Sequence, residues 1–202
     1  MSLKNRRVLL VLVLAICSLI SYSQTLYWVG GSGNFNDPWH WSLQSGGSPA
    51  NVVPGSQNTV VFDDKSGTGA YEVNLAGITS IKSFSSTGLN NVTNFSAAKG
   101  STLNVGGDFY LSQLTKFETE ATIVFSNTGA NSYIETGLNK LKGDIYFKGG
   151  SFRPKAAQVD DFHTIYFQSG SFRLDNAFIV AGSIINENPA VVFNISDSYF
   201  SA

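Results

Sequence analysis

The chain has 202 residues, a single cysteine, and 13 Lys and Arg against 14 Asp and Glu. Charged residues make up only 13% of it, against about 25% in ordinary globular chains. No basic stripe is available to neutralise phosphates, so nucleic acid is excluded as an expected partner, and one cysteine excludes both a disulfide framework and a thiolate metal site.

Residues 1–23 open with Lys4, Arg6 and Arg7, continue through an apolar run from Val8 to Ile20, and end in Ser21-Tyr22-Ser23. This order of parts is that of a secretory signal peptide, with cleavage expected between Ser23 and Gln24. The apolar run falls short of the roughly 20 residues that cross a bilayer as a helix, so no membrane span is expected in the mature chain. A lipid anchor on Cys17 is disfavoured, because Ile16 stands where Gly or Ala would precede a lipidated cysteine. Removal of the segment leaves 13 − 3 = 10 basic residues against 14 acidic ones, a net charge near −4.

The next stretch, Trp28 to Trp41, reads WVGGSGNFNDPWHW. Two readings account for so many large rings among glycines: a sugar-binding platform made of Trp28, Trp39 and Trp41, or an aromatic cap over the end of a hydrophobic core. Residues 24–58 are assigned to this cap and residues 59–202 to the body. His40 stands between two tryptophans with nothing nearby to complete a site. Asp63-Asp64 is read as a solvated turn, since calcium wants six to eight oxygens and no acidic repeat supplies them.

The body repeats itself. Ile145-Tyr146-Phe147-Lys148-Gly149-Gly150-Ser151-Phe152-Arg153 returns twenty residues later as Ile165-Tyr166-Phe167-Gln168-Ser169-Gly170-Ser171-Phe172-Arg173. Fainter copies end at Phe62, Phe84, Val105, Phe125 and Phe193, the last after a longer step that holds the Asn186 to Pro189 insertion. Strand signals sit between turn residues and no amphipathic helical period is present. A unit of two or three short strands cannot bury its own apolar side chains, but stacking such units does. The expected fold is all-β: a right-handed parallel β-helix of about 20–22 residues per coil, with Phe62, Phe84, Val105, Phe125, Phe147 and Phe167 in one interior column. An antiparallel sandwich is the competing architecture.

Asp160, Asp161 and His163 form the best candidate for acid/base chemistry, with Arg153 and Arg173 one coil apart as flanks; read without chemistry, the two arginines are a solvent-facing stack held apart or bridged by Asp175. Paired carboxylates do such work when their environments separate their pKa values. A polar turn between coils is the alternative, favoured because no second acidic cluster lies one coil away and the motifs of pectin-degrading β-helices are absent. No catalytic residue, cofactor or metal is therefore assigned. Three Asn-x-Ser/Thr sequons, at Asn91, Asn94 and Asn194, would matter only in a eukaryotic secretory pathway. The run Ser198-Tyr199-Phe200-Ser201-Ala202 carries no plug to match the one at Trp28, so further coils or downstream domains of a longer chain are expected.

The segment Trp28 to Ser42, followed by Val53-Pro54-Gly55-Ser56-Gln57-Asn58-Thr59-Val60-Val61-Phe62-Asp63, resembles the N-terminal region of large secreted β-helix surface proteins of the Bacteroidota, including gliding-motility-type adhesins and similar type IX secretion substrates. Phe35 stands where that pattern usually has Trp. The resemblance implies a secreted, non-enzymatic cell-surface protein serving as stalk or adhesin segment, with surface glycans and the secretion machinery as partners. The alternative is a carbohydrate-binding or carbohydrate-active β-helix, a lyase or glycosidase.

Overall fold

A computed structural model describes residues 23–117, 119–127, 131–154, 159–175 and 178–201. The proposed export segment lies outside the described residues, save for Ser23. Among the described residues the chain is nearly all β, and its stacked parallel strands form a β-solenoid. A three-residue 3₁₀ turn, Pro38–His40, interrupts the strands.

Each coil visits three faces. The first carries Thr25–Trp28, Thr59–Asp63, Ser83–Gly88, Phe109–Tyr110 and Ser132–Glu135, then the last parts of Lys140–Pro154 and Val159–Asp175, then Val192–Ser196. The second carries Ile78–Ile81, Thr102–Val105 and Thr122–Phe125, continued by 145–147, 165–167 and 184–186 of the longer strands. The third begins with Gly33–Asn34, Tyr71–Leu75, Thr93–Ala97 and Thr115–Lys116. Alternation of buried and exposed residues along these strands, as in Tyr71–Leu75, puts every second side chain inside.

The sequence repeat is literal in space, for Ile145, Tyr146 and Phe147 pair in register with Ile165, Tyr166 and Phe167, and Ser151 and Phe152 with Ser171 and Phe172. The single column expected from Phe62 to Phe167 is two columns. Val105, Phe125, Phe147 and Phe167 succeed one another on the second face, but the residue paired with Val105 on its other side is Ile81. Phe84 belongs to the first face, between Val60 and Phe109. Phe193 likewise pairs with Phe172, and the partner of Phe167 in the next coil is Asn186, nineteen residues on, so the long last step disappears.

The two columns merge in the interior because large rings reach across it. Contacts run from Trp28 to Phe62 (5.5 Å between ring centroids), Phe84 (5.3 Å), Phe109 (5.3 Å), Phe125 (5.5 Å), Phe147 (5.3 Å), Phe167 (5.2 Å) and Phe193 (4.8 Å). This spacing is set by the strand separation of about 4.8 Å. At the N-terminal end Trp41–Ser42 pairs antiparallel with Thr25–Trp28 and forms the edge of the large sheet. A parallel stack is thus closed by a strand of opposite direction, which a further coil could not simply extend.

Candidate functional sites

The aromatic opening is built around His40. Asp37 accepts a hydrogen bond from the Trp39 backbone N–H at 3.0 Å, and Pro38 begins the 3₁₀ turn that follows. That turn sends neighbouring side chains in opposite directions: Trp39 out into solvent, His40 back over Trp28. The imidazole lies parallel to the indole, with centroids 4.5 Å apart and planes 6° apart. Its Nδ1 donates to the Val29 carbonyl at 2.8 Å. Gly30 (φ 89°) and Gly31 (φ 76°) take the left-handed conformation that lets the chain turn beneath the ring. Gly33 is required for a different reason: a Cβ there would sit 2.1 Å from His40 Nε2.

Trp28 and Trp41 are fully buried, whereas Trp39 is 64% exposed. The buried indole N–H groups are satisfied, Trp28 by the Gly31 carbonyl and Trp41 by the Phe35 carbonyl, both at 2.7 Å. Trp28 meets Trp41 edge to face, at 83°. The three-tryptophan sugar platform is therefore corrected: two of its rings are covered on both sides, and Trp39 alone presents a face to water. Sequence reasoning set His40 aside because it sought a catalytic companion, while its partner is the flat face of Trp28.

Of the acid/base candidate, only the His163 side chain is described. His163 Nδ1 lies 3.5 Å from Asp144 Oδ1 of the preceding coil and 3.2 Å from Thr164 Oγ1. Both members of the His163–Asp144 contact stand largely in water, at 61% and 39% side-chain exposure, where such pairs are weak and screened. Asp160 and Asp161 lie in Val159–Asp175, their backbones paired with Ile179 and Val180; their side chains, and that of Asp175, lie outside the described structure. Arg153 is placed over the ring of Tyr133, 5.6 Å from its centroid. Asp64 is taken by Lys65 at 2.7 Å, and Asp63 accepts from the Lys65 backbone N–H. Among the described residues no three His, Cys, Asp or Glu side chains come together to hold a metal.

A feature the sequence did not single out is a groove of about 680 Å³ along the corner where the second face turns into the first. Gln57, Lys82, Asn104, Asp108, Asn127 and Asn131 line it from successive coils. Its backbone is already committed: the N–H groups of Lys82, Gly106 and Ser126 donate to the carbonyls of Asn58, Ile81 and Val105 in the coil before. Ser83 Oγ accepts from the Asp108 N–H at 3.1 Å, and Asp108 Oδ1 accepts from the Tyr133 N–H at 2.9 Å. Two residues beyond Asp108, the Tyr110 hydroxyl has its pKa pushed up to about 12, by burial first and then by Asp108, Tyr133 and Glu135. The sequence sign of this corner is Gly106-Gly107 followed by Asp108, with Ser and Asn recurring at the same place in neighbouring coils.

Comparison with protein-family models, with curated proteins and with solved structures returned no match.

Proposed function

We propose that this is an exported cell-surface protein in which the solenoid serves, without catalysis, as a stalk or adhesive segment. The observation that carries the reading is the unbroken aromatic spine from Trp28 to Phe193, closed at its N-terminal end by Trp41 and the His40 wedge. Such a spine favours a stiff rod with a long lateral surface, which is what a stalk requires. The export-type N-terminus and the resemblance of Trp28 to Asp63 to secreted β-helix surface proteins of the Bacteroidota support the same reading, with surface glycans and the secretion machinery as partners.

The test is adhesion of the producing cells. Deleting the gene should lower attachment, and re-expressing the parent chain should restore it. A Phe147→Asp chain should not restore it, because a carboxylate between Phe125 and Phe167 has no partner. Equal attachment by all of these cells would refute the adhesive reading. The second reading, a carbohydrate-active protein, is favoured by the polar groove and the exposed Trp39. Cleavage of polyuronides by the parent chain, abolished by Asp161→Ala, would replace the first reading with an enzymatic one.

A further inference from the structure

We infer that the corner groove is a binding site for a neutral, extended oligosaccharide, an inference that rests on the adhesive reading and supplies its ligand class. The groove crosses the corners of four successive coils, at Gln57, at Lys82, at Gly106-Gly107-Asp108, and at Asn127 and Asn131. Three strand separations of about 4.8 Å give it a length of roughly 14 Å along the solenoid axis. A long, open trough of this kind suits a short linear chain better than a compact cofactor, which prefers an enclosed and mostly apolar pocket.

The lining chemistry selects among linear chains. Lys82 and Asp108 contribute one charge of each sign, and Gln57, Asn104 and Asn131 contribute amides. Asn104 Nδ2 already donates to Ser80 Oγ at 3.1 Å and Asn131 Oδ1 accepts from Ser151 Oγ at 2.8 Å, so Asn104 offers its oxygen and Asn131 its NH₂ group. A polyanion finds a single lysine with a carboxylate nearby. An extended peptide would need free backbone groups to add a strand, yet the N–H groups of Lys82, Gly106 and Ser126 are bonded from coil to coil. What remains is a ligand whose own hydroxyls pair with side-chain amides.

Gly106 marks the floor. A Cβ there would lie 3.7 Å from the Ile81 carbonyl oxygen and 3.8 Å from that of Lys82, ordinary van der Waals distances, and its φ is not left-handed. Neither packing nor conformation demands glycine at this point. Its neighbour Gly107 differs, since a Cβ there would meet Ser83 Oγ at 2.6 Å. A side chain at 106 would fill the trough while leaving the coil intact, and its absence keeps the trough open.

The experiment measures binding of the purified chain to neutral tri- to hexasaccharides of β-1,4-glucan, β-1,4-mannan, β-1,4-xylan and α-1,4-glucan, with an oligogalacturonide as the charged comparator. Titration calorimetry and a thermal melt are run on the parent, Gly106→Tyr, Asn104→Ala and Trp39→Ala. The expected result is binding of at least one neutral series, weakened at least tenfold by Gly106→Tyr and several-fold by Asn104→Ala, unchanged by Trp39→Ala, with parental melting in all three variants. Should Gly106→Tyr melt early, Asn104→Ala alone decides. Failure to bind any neutral series, preference for the oligogalacturonide, or loss of binding on Trp39→Ala with retention in the groove variants would each overturn the inference. Cell adhesion that persists without glycan binding would leave the adhesive reading standing and remove only the groove's role.

Discussion

Replacing Gly33 by alanine should disturb the aromatic end of the solenoid through a single contact. The new methyl would fall 2.1 Å from His40 Nε2, so one of the two must move. The backbone at Gly33 is held in register with Val73 of the next coil, which leaves the imidazole as the partner that yields. Displacing it separates two rings now stacked at 4.5 Å, worth about 0.5–1.5 kcal/mol, and breaks the Nδ1 bond to Val29, worth a further 0.5–1.5 kcal/mol or so. The expected loss is roughly 1–3 kcal/mol, or a fall in Tm of roughly 2–12 °C for a chain of this size. Thermal melts followed by circular dichroism should be run on Gly33→Ala, His40→Ala and the double variant. His40→Ala removes the clash, so the double variant should melt with His40→Ala alone. Parental melting of Gly33→Ala, or effects of the two changes that simply add, would refute the wedge.

Other changes separate buried from exposed rings. Trp41→Phe leaves the Phe35 carbonyl without its indole donor and should cost about 1–3 kcal/mol, whereas Trp39→Ala should stay within about 0.5 kcal/mol of the parent; urea melts check both. Phe147→Ala removes a ring stacked on both sides and should cost about 3–5 kcal/mol in the same assay. Tyr110 gives a pH dependence: its folded pKa of about 12 exceeds the ordinary 10.0, so the fold holds the proton more tightly than the unfolded chain does. Its contribution to stability is full below pH 10 and is lost as pH rises toward 12. Tyr110→Phe should therefore show a shallower fall in stability over that window, and an identical slope in parent and variant would contradict the assignment.

The stacking of coils was legible because residues 145–153 and 165–173 are near copies, and copies at a constant offset have nowhere to pair except with each other. The faces were less legible. Short apolar strands recur on all three, so counting from one to the next moved from Phe84 on the first face to Val105 on the second without a signal at the crossing. What separates the faces is the length of each corner: one residue at Lys82 between Ile81 and Ser83, three at Gly106-Gly107-Asp108. A corner has no hydrophobic period to read. For the sites, the sequence shows that glycines stand beside Trp28 but not what requires them. The ring that demands them at Gly33, His40, could be found only once the Asp37 turn showed where it points. The partner of His163 is Asp144, nineteen residues earlier, and only the register of neighbouring coils reveals it.

Export to the cell surface is the central claim, and labelling intact cells tests it most directly. A membrane-impermeant amine reagent is applied to the producing cells, and the modified lysines are read by mass spectrometry. Lys65, Lys116, Lys142 and Lys148 all stand exposed on the solenoid. The account predicts that they are labelled before lysis, and that the chain carrying them starts at or near Gln24. Labelling that appears only after the cells are broken, on a chain that still carries residues 1–20, would contradict it.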